Sequence, residues 1–395
     1  MTANSWSWSR RVEGRRSDRL AIARILIDCA RADGPTDPSW AVEVLAHSSS
    51  HTVMALVRFH GVGGLLYQAL RPLDGVPTEL IAELRSEYDQ AVQGHLRMLW
   101  ELAHLQPILD ATGVPWAIVK GPVAVERLYL DPGLRAYQDL DLLVDPAGFR
   151  VMIEALRASG SEVLDRNWTL LREDLLGEVH LRLRGGTPLD LHWNLINVDR
   201  GDMWVDSSEV LGRVIRTTLG GVEAGILDPE DTLVHLAMHA ALSGGDRLRW
   251  LTDIDRAARA LEPDWELVSE RSRRWGVAEP VGLMLGRTRA VLSSPIPGSV
   301  PDALLGATSR RFVGLAERVS PWELSVGRLT ALSHVVSRNI AKGPVGATAW
   351  LVRRAFKWLD PREPEASSAF TPRGGEQDRA AFIDAVVHSS EMRRG

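Results

Sequence analysis

The sequence lacks the features that mark disulfide-bonded, cysteine zinc-binding and membrane-spanning proteins. It has one cysteine, Cys29, in 395 residues, so it can build neither a disulfide framework nor a cysteine zinc site. Cys29 falls in an apolar periodic run, which predicts a buried small side chain. No apolar run approaches the roughly 18 residues that a transmembrane helix needs, and the basic N-terminus lacks the apolar segment of a secretory signal. We therefore expect a cytoplasmic protein without a membrane span.

A surplus of basic residues is also missing. The chain has 46 Lys and Arg against 51 Asp and Glu, which gives a formal net charge of −5. Proteins that bind duplex nucleic acid usually carry a basic surplus, so we expect no duplex nucleic acid among the partners. The length is too great for one ordinary hydrophobic core and predicts two or three domains.

Two aspartates lie in an otherwise apolar segment that is typical of a β-strand. Asp139 and Asp141 are one residue apart in the run DLDLLV, and a third, Asp190, lies in the similar run TPLDLHW. Alternate residues of a strand share a face, so the first two carboxylates would repel each other unless a cation lay between them. Three carboxylates on neighbouring strands suit a hard ion such as Mg2+. The alternative is that Asp139 caps a turn while Asp141 and Asp190 form ordinary salt bridges.

The order of these segments resembles a family of uncharacterised bacterial nucleotidyltransferases within the polymerase-beta-like superfamily. The resemblance spans roughly residues 40–258 and rests on six motifs, in chain order KG, LYxDPGxR, DLDLLV, LDLHW, HLAxHA and RLRWLTDI. It implies an α+β fold, with a small mixed β-sheet core flanked by N-terminal and C-terminal helical domains. It also implies two metal-binding aspartates on one strand, a third on the next, and an NTP donor.

The chain departs from the wider superfamily in the residues that would bind the donor phosphates. Most members place Gly-Ser on the helix after the first strand, whereas here Gly121 is followed by Pro122. Lys120 and Arg135 are then the natural substitutes, because lysine supplies a point charge and arginine a fork for phosphate oxygens. The alternative is that Lys120 only extends from a strand end and that Arg135 pairs with Asp131 or Asp139.

Apolar spacing predicts a division of the chain into four parts. These are an N-terminal helical region (residues 1–95), a catalytic domain (96–225), a C-terminal helical domain (226–360) and a loose tail (361–395). Within the catalytic domain we expect strands at residues 115–120, 139–144, 162–165, 178–184 and 189–193. Helices are expected at residues 122–130 and 146–159, and beyond the core at 265–275, 280–292, 302–315, 321–338 and 347–358.

Two histidines lie on one face of a predicted helix, because His235 and His239 are four residues apart. A zinc motif would place glutamate after His235, but the next residue is Leu236. In the resembled family His239 and the later Asp253 would line the inner side of the helical domain, which implies contact with the substrate. A buried, hydrogen-bonded histidine is the alternative.

The combined prediction is a Mg2+-dependent nucleotidyltransferase that uses two metal ions and an NTP on a small-molecule or peptide acceptor. Asp139 and Asp141 would bind the metal, while Asp190 would complete a second metal site or act as the general base. His192 would face the same side as Asp190 and either support that step or hold the strand. The alternatives are a tailoring transferase with another activated donor, such as a nucleotide sugar, and a non-catalytic module like an antitoxin.

Overall fold

The computed structural model describes residues 16–32, 34, 37–174, 177–196, 203–319, 337, 340, 369–370 and 372–392. Over these residues the chain has an α+β architecture in which helices precede and follow one mixed sheet of seven strands. No helix in these ranges combines the length and the apolar content that a membrane crossing requires. The helices predicted at residues 321–338 and 347–358 lie outside the described residues, apart from single positions.

Five helices form the N-terminal part. Their bounds are α1 Arg16–Ala30, α2 Pro38–Ala46, α3 Ser50–His60, α4 Gly63–Leu70 and α5 Thr78–Ala111. Gly61 ends α3 in the left-handed region, with φ of 68°, because glycine has no Cβ to oppose that conformation. Cys29 is buried as expected, and burial together with the charge of Asp28 raises the pKa of its thiol to about 12. Helix α5 runs without a break through residue 95, where the sequence predicted a domain boundary.

The sheet contains the five expected strands and two more. Their bounds are β1 Trp116–Ile118, β2 Leu140–Val144, β3 Glu162–Val163, β4 Glu178–Arg182, β5 Pro188–His192, β6 Ile215–Leu219 and β7 Val222–Ile226. The strand order is β3-β4-β5-β2-β1-β7-β6, with β2 parallel to β5 and antiparallel to β1. Between β1 and β2 the chain forms a short helix, α6 Pro122–Ala124, continued by a π-helical turn Val125–Tyr129.

The sequence analysis missed the hairpin β6–β7. Gly220 and Gly221 both have positive φ, 54° and 87°, and they join Leu219 to its partner Val222. Two residues with positive φ form the tight turn that matches the twist of paired strands. Strand β7 then pairs in parallel with β1, so the hairpin extends the sheet beyond the predicted core.

The two faces of the sheet are covered by different helices. Ala117, Val119 and Leu143 are buried in a hydrophobic cluster with α1–α4 and the later helices, and we call this side the helical face. On the other side, Leu140 and Leu142 are buried with α5 and with helix α7 Phe149–Ala158. Because strand residues alternate between faces, Asp141 points to the helical face.

The remaining helices follow β3 in the chain. Their bounds are α8 Trp168–Asp174, α9 Ser207–Leu211, α10 Pro229–Leu242, α11 Leu248–Ala260, α12 Trp265–Arg274, α13 Ala278–Leu292, α14 Ser299–Leu304, α15 Ala307–Val319 and α16 Glu376–Met392. Of these, α8 lies between β3 and β4, α9 lies between β5 and β6, and the others follow β7. Helix α10 begins as expected, with Asp228 accepting a hydrogen bond from the backbone N–H of Asp231. The helix predicted at residues 302–315 is divided into α14 and α15, with Gly306 between them.

The expectation of a loose tail is wrong for Glu376–Met392, which forms helix α16. Phe382, Ile383 and Val386 on this helix are buried in the second hydrophobic cluster. The ring of Phe382 lies 5.4 Å from that of Trp193. The Pro- and Ser-rich stretch before the helix dominated the prediction, whereas the apolar spacing i, i+1, i+4 within 376–392 is that of a helix with one buried side.

Candidate active site

The register of β2 against β5 brings two of the predicted aspartates side by side. Asp141 pairs directly with Asp190 across the parallel strands, and His192 is paired with Leu143 two positions further on. One ligand atom from each of Asp141, Asp190 and His192 lies within 4.8 Å of the other two. Asp139 precedes the strand by one residue and is not in this cluster, although its carboxylate is half-buried near Asp141. The structure therefore confirms the predicted proximity of Asp141 and Asp190.

Asp141 is buried and already compensated by two neighbouring groups. Its Oδ1 lies 2.7 Å from the Lys120 Nζ and 3.1 Å from the His192 Nε2. The backbone supports this arrangement, because the N–H of Val119 donates to the carbonyl of Asp141 across β1 and β2. Burial opposes the charge of Asp141, but Lys120 and His192 together hold its pKa well below the ordinary value. Asp141 is therefore ionised at neutral pH.

Asp190 has the opposite electrostatic environment. Burial and the nearby charge of Asp141 raise the pKa of Asp190 to about 7. Two residues of β4 act on the same carboxylate, because His180 is directly opposite Asp190 and Glu178 is opposite His192. The two aspartates therefore differ in their tendency to hold a proton, which is the condition under which one of them can accept a proton during a reaction.

Sequence reasoning missed Glu178, His180 and Asp165 as neighbours of the site. The Glu178 Oε2 lies 3.2 Å from the His192 Nδ1, and the Asp165 Oδ2 accepts hydrogen bonds from the backbone N–H and the ring of His180. Although burial opposes protonation, Asp165 raises the pKa of His180 to about 9. Alternation in the run EVHLR could have identified Glu178 and His180, because it puts both on one face of an otherwise apolar strand.

Gly121 lies at the turn between β1 and the short helix that follows. Its φ is 55°, and a Cβ at this position would lie 3.0 Å from the ring of Tyr137. Tyr137 is in turn held by His95 of α5, whose Nδ1 lies 2.8 Å from the phenolic oxygen. Glycine at position 121 therefore lets the chain turn close beneath Tyr137 and Asp139, which fixes the position of Lys120 beside Asp141.

Arg135, predicted to bind the donor phosphates, and Asp253, predicted to contact the substrate, contact each other in the structure. Arg135 donates from Nε to Oδ1 of Asp253 at 3.0 Å and from Nη2 to Oδ2 at 2.9 Å. The hydroxyl of Tyr129 donates to the same Oδ1 at 2.8 Å. All three side chains are buried. The ion pair connects the loop before β2 to helix α11. Arg135 therefore pairs with Asp253 and not with Asp131 or Asp139, the alternatives that the sequence offered. Asp131 accepts a hydrogen bond from the hydroxyl of Tyr88.

Helix α10 presents His235 and His239 towards the carboxylates. His235 is 2% exposed, and within the described residues its Nδ1 has no hydrogen-bond partner. Burial and the charge of Lys120 lower the pKa of His235 to about 3 and hold that of His239 well below its ordinary value. Both rings are neutral at pH 7, so they offer a hydrogen bond to a substrate and no charge.

The carboxylates suit a divalent cation. The contacts that Asp141 makes with Lys120 and His192 both use its Oδ1, so neither neighbour occupies Oδ2. Burial and the charge of Asp141 raise the pKa of Asp139, and a bound cation would relieve that repulsion. Oxygen donors on one face of the sheet, with imidazole beside them, are compatible with Mg2+ or Mn2+.

Comparison with known proteins identifies a family for this region. The family described as uncharacterised nucleotidyltransferase matches residues 47–293, which include every site residue from Lys120 to Asp253. No curated protein matches the chain. Among solved structures the chain is similar to the Thermotoga maritima CCA-adding enzyme complexed with tRNA_CCA, at 12% identity and a TM-score of 0.20, over 75% of this chain and 92% of that one.

Proposed function

Because this chain belongs to the family of uncharacterised nucleotidyltransferases, we propose that it transfers a nucleoside monophosphate from an NTP to an acceptor. The acceptor is a small molecule or a peptide, and pyrophosphate is the second product. An oxygen or nitrogen of the acceptor attacks the α-phosphorus, the bond from that phosphorus to the bridging oxygen breaks, and the acceptor loses its proton.

The observation that carries this proposal is the direct pairing of Asp141 with Asp190 on the helical face. Adjacent carboxylates on parallel strands are suited to holding a divalent cation. That cation, together with Lys120 beside Asp141, would neutralise the negative charge of a polyphosphate. Mg2+, as one or two ions, would be held by Asp139, Asp141 and Asp190. When bound, it supplies charge neutralisation and alignment of the phosphates.

The side chains have separate tasks in this proposal. Lys120 offers a positive charge beside Asp141, and Asp190, with its pKa near 7, either completes the metal site or accepts the acceptor proton. The neutral rings of His235 and His239 on helix α10 would orient the acceptor from the side opposite the sheet.

The proposal is tested by offering the protein each α-labelled NTP with Mg2+ and pools of metabolites and peptides. Mass spectrometry then detects an acceptor that has gained one nucleoside monophosphate, and a coupled assay measures pyrophosphate. We expect the wild type to give both signals with at least one NTP. Titration calorimetry with the NTP and Mg2+ measures donor binding independently of the acceptor.

Asp190→Asn and Asp89→Asn form a matched pair of variants. Asp190 lies in the site, whereas the side chain of Asp89 is 52% exposed on α5, so only the first variant should lose transfer. An acceptor that gains a sugar phosphate from a nucleotide sugar, with no nucleotide gained from any NTP, would favour the tailoring alternative. Absence of NTP binding by the wild type would contradict nucleotidyl transfer and favour the binding-module alternative.

A further inference from the structure

The two cations that the sequence suggested for phosphate binding are already paired in the structure. Lys120 contacts Asp141, and Arg135 donates to both carboxylate oxygens of Asp253. Arg135 would have to leave a buried fork-shaped contact to bind a phosphate, which costs several kcal/mol when the partner stays buried. A cation without such a partner is therefore the better candidate.

Helix α11 supplies one on the side that faces the loop before β2, which carries Arg135. Asp253 holds Arg135, and the guanidinium of Arg256 lies 4.5 Å from the ring centre of Tyr129. Arg249 precedes Asp253 by four residues and Arg256 by seven, so all three lie on one face of the helix. Helical side chains point towards the N-terminus of their helix. The guanidinium of Arg249 therefore lies further towards the N-terminal end of α11 than the side chain of Asp253, on the same face.

The surroundings of Arg249 fix its stem and leave its charge uncompensated. A Cβ at Gly61 would lie 2.8 Å from the Cδ of Arg249, so the glycine makes room for the stem. The guanidinium lies near the ring of Trp250, at 5.9 Å from its centre. Within the described ranges no carboxylate lies within ion-pair distance of Arg249.

Asp139, on the sheet side, is an acidic group whose charge acts on Arg249. Burial, together with the charges of Arg135 and Arg247, lowers the pKa of Arg249 to about 10, while Asp139 and Asp253 act in the opposite direction. Asp139 likewise has no hydrogen bond or ion pair among the described residues, and Arg249 is one of the charges acting on it. The charges of Asp139 and Arg249 therefore act on each other, although the two side chains form no ion pair within the described residues.

We propose that Arg249 binds the polyphosphate of the nucleotide donor, and that the Arg135–Asp253 pair holds helix α11 in place for this role. The proposal rests on the proposed function. A guanidinium presents a planar fork of donors that matches two phosphate oxygens. A polyphosphate between Arg249 and the Asp139 side would compensate both charges, with a metal ion on the carboxylate side.

Inorganic tripolyphosphate and the NTP that the wild type binds are the probes, and calorimetry with Mg2+ is the measurement. Arg249→Gln should weaken the affinity for each at least about tenfold, the factor for losing one charge-assisted hydrogen bond. Arg247→Gln is the matched control, because Arg247 is two positions away and packs on the rings of Phe59 and Trp250. That variant should bind both probes as the wild type does.

Binding of the unphosphorylated nucleoside separates a phosphate contact from a structural role. If Arg249 contacts phosphate, nucleoside affinity stays unchanged in Arg249→Gln and part of the NTP affinity returns in Arg249→Lys. Equal tripolyphosphate binding by Arg249→Gln and the wild type would overturn this inference and leave the proposed function intact. An equal loss of nucleoside and NTP affinity would overturn it too, since it would point to a distorted site. A wild type that binds neither probe would contradict the proposed function itself.

Discussion

Replacing the two aspartates of the DLDLLV run by asparagine should change stability in opposite directions. Asp141 is 3% exposed and contacts the Lys120 ammonium, which is 14% exposed. Asp139 has no such contact with any residue that the structure describes, and burial and the charge of Asp141 raise its pKa. The Asp141 carboxylate therefore stabilises the folded state, whereas that of Asp139 opposes it.

The loss of folding free energy in Asp141→Asn depends on Lys120, whose ammonium stays in place after its partner is removed. Removal of one partner of a buried ion pair costs about 3–5 kcal/mol, because the other charge stays buried without compensation. The amide oxygen of asparagine can still accept a hydrogen bond from Lys120, so we expect the lower end, about 3 kcal/mol. Asp139→Asn removes a charge that is unfavourable when buried, so its unfolding temperature should equal or exceed that of the wild type.

The effect of pH on Asp141→Asn has a definite sign. Lys120 and His192 hold the folded-state pKa of Asp141 below its unfolded value, so the carboxylate stabilises the protein above the unfolded pKa of about 3.9. That stabilisation is lost as the pH falls through the folded-state pKa. The difference between wild type and variant should therefore be largest near neutral pH and decline in acid.

Urea unfolding in EDTA measures these differences without any metal. The chain has 14 tryptophans, and Trp193 is buried beside β5, so tryptophan fluorescence reports unfolding of the sheet region. Adding Lys120→Met to Asp141→Asn removes the stranded ammonium and should recover part of the loss. Equal midpoints for wild type and Asp141→Asn would contradict a stabilising ion pair between Asp141 and Lys120. A lower midpoint for Asp139→Asn would contradict the inference that the Asp139 carboxylate is unfavourable in the folded state.

Two further predictions concern how the core is held together. Asp253→Ala should lower the free energy of unfolding by about 3–5 kcal/mol by leaving Arg135 buried and unpaired, and the double change Arg135→Met with Asp253→Leu should recover most of it in urea unfolding. A double variant no more stable than Asp253→Ala would argue against the pair. Phe382→Ala should cost about 3–5 kcal/mol because its ring is fully buried against Trp193. The control Phe370→Ala removes a ring that is 37% exposed, and equal losses in the two variants would mean that α16 is not docked.

Local patterns predicted the catalytic strands and their polar positions well. Alternation in β2 and β5 put Asp141, Asp190 and His192 on one face, and the structure confirms this through the register of the two strands. The same rule applied to β4 would have found Glu178 and His180. The family match over residues 47–293 confirms the resemblance that the motifs indicated. The roles of the individual residues, the metal and the acceptor stay predictions.

Contacts between distant segments were beyond the reach of these patterns. Arg135 pairs with Asp253, 118 residues later, although the sequence offered the nearer Asp131 and Asp139. Helix α16 returns to cover the core from the far end of the chain, where composition indicated a loose tail. In both cases the partner was set by which helix packs on which face, and not by separation along the chain.

The sequence by itself determined the strands, their alternation and the acidic face, because these depend on residues a few positions apart. Tertiary structure alone decided which charges neutralise each other. It paired Asp141 with Lys120 and Arg135 with Asp253, and among the described residues it gave Asp139 and Arg249 no ion-pair partner. The physical reason is that burial makes an ion pair or its absence energetically decisive, and burial arises only when the sheet and helices α10 and α11 pack together.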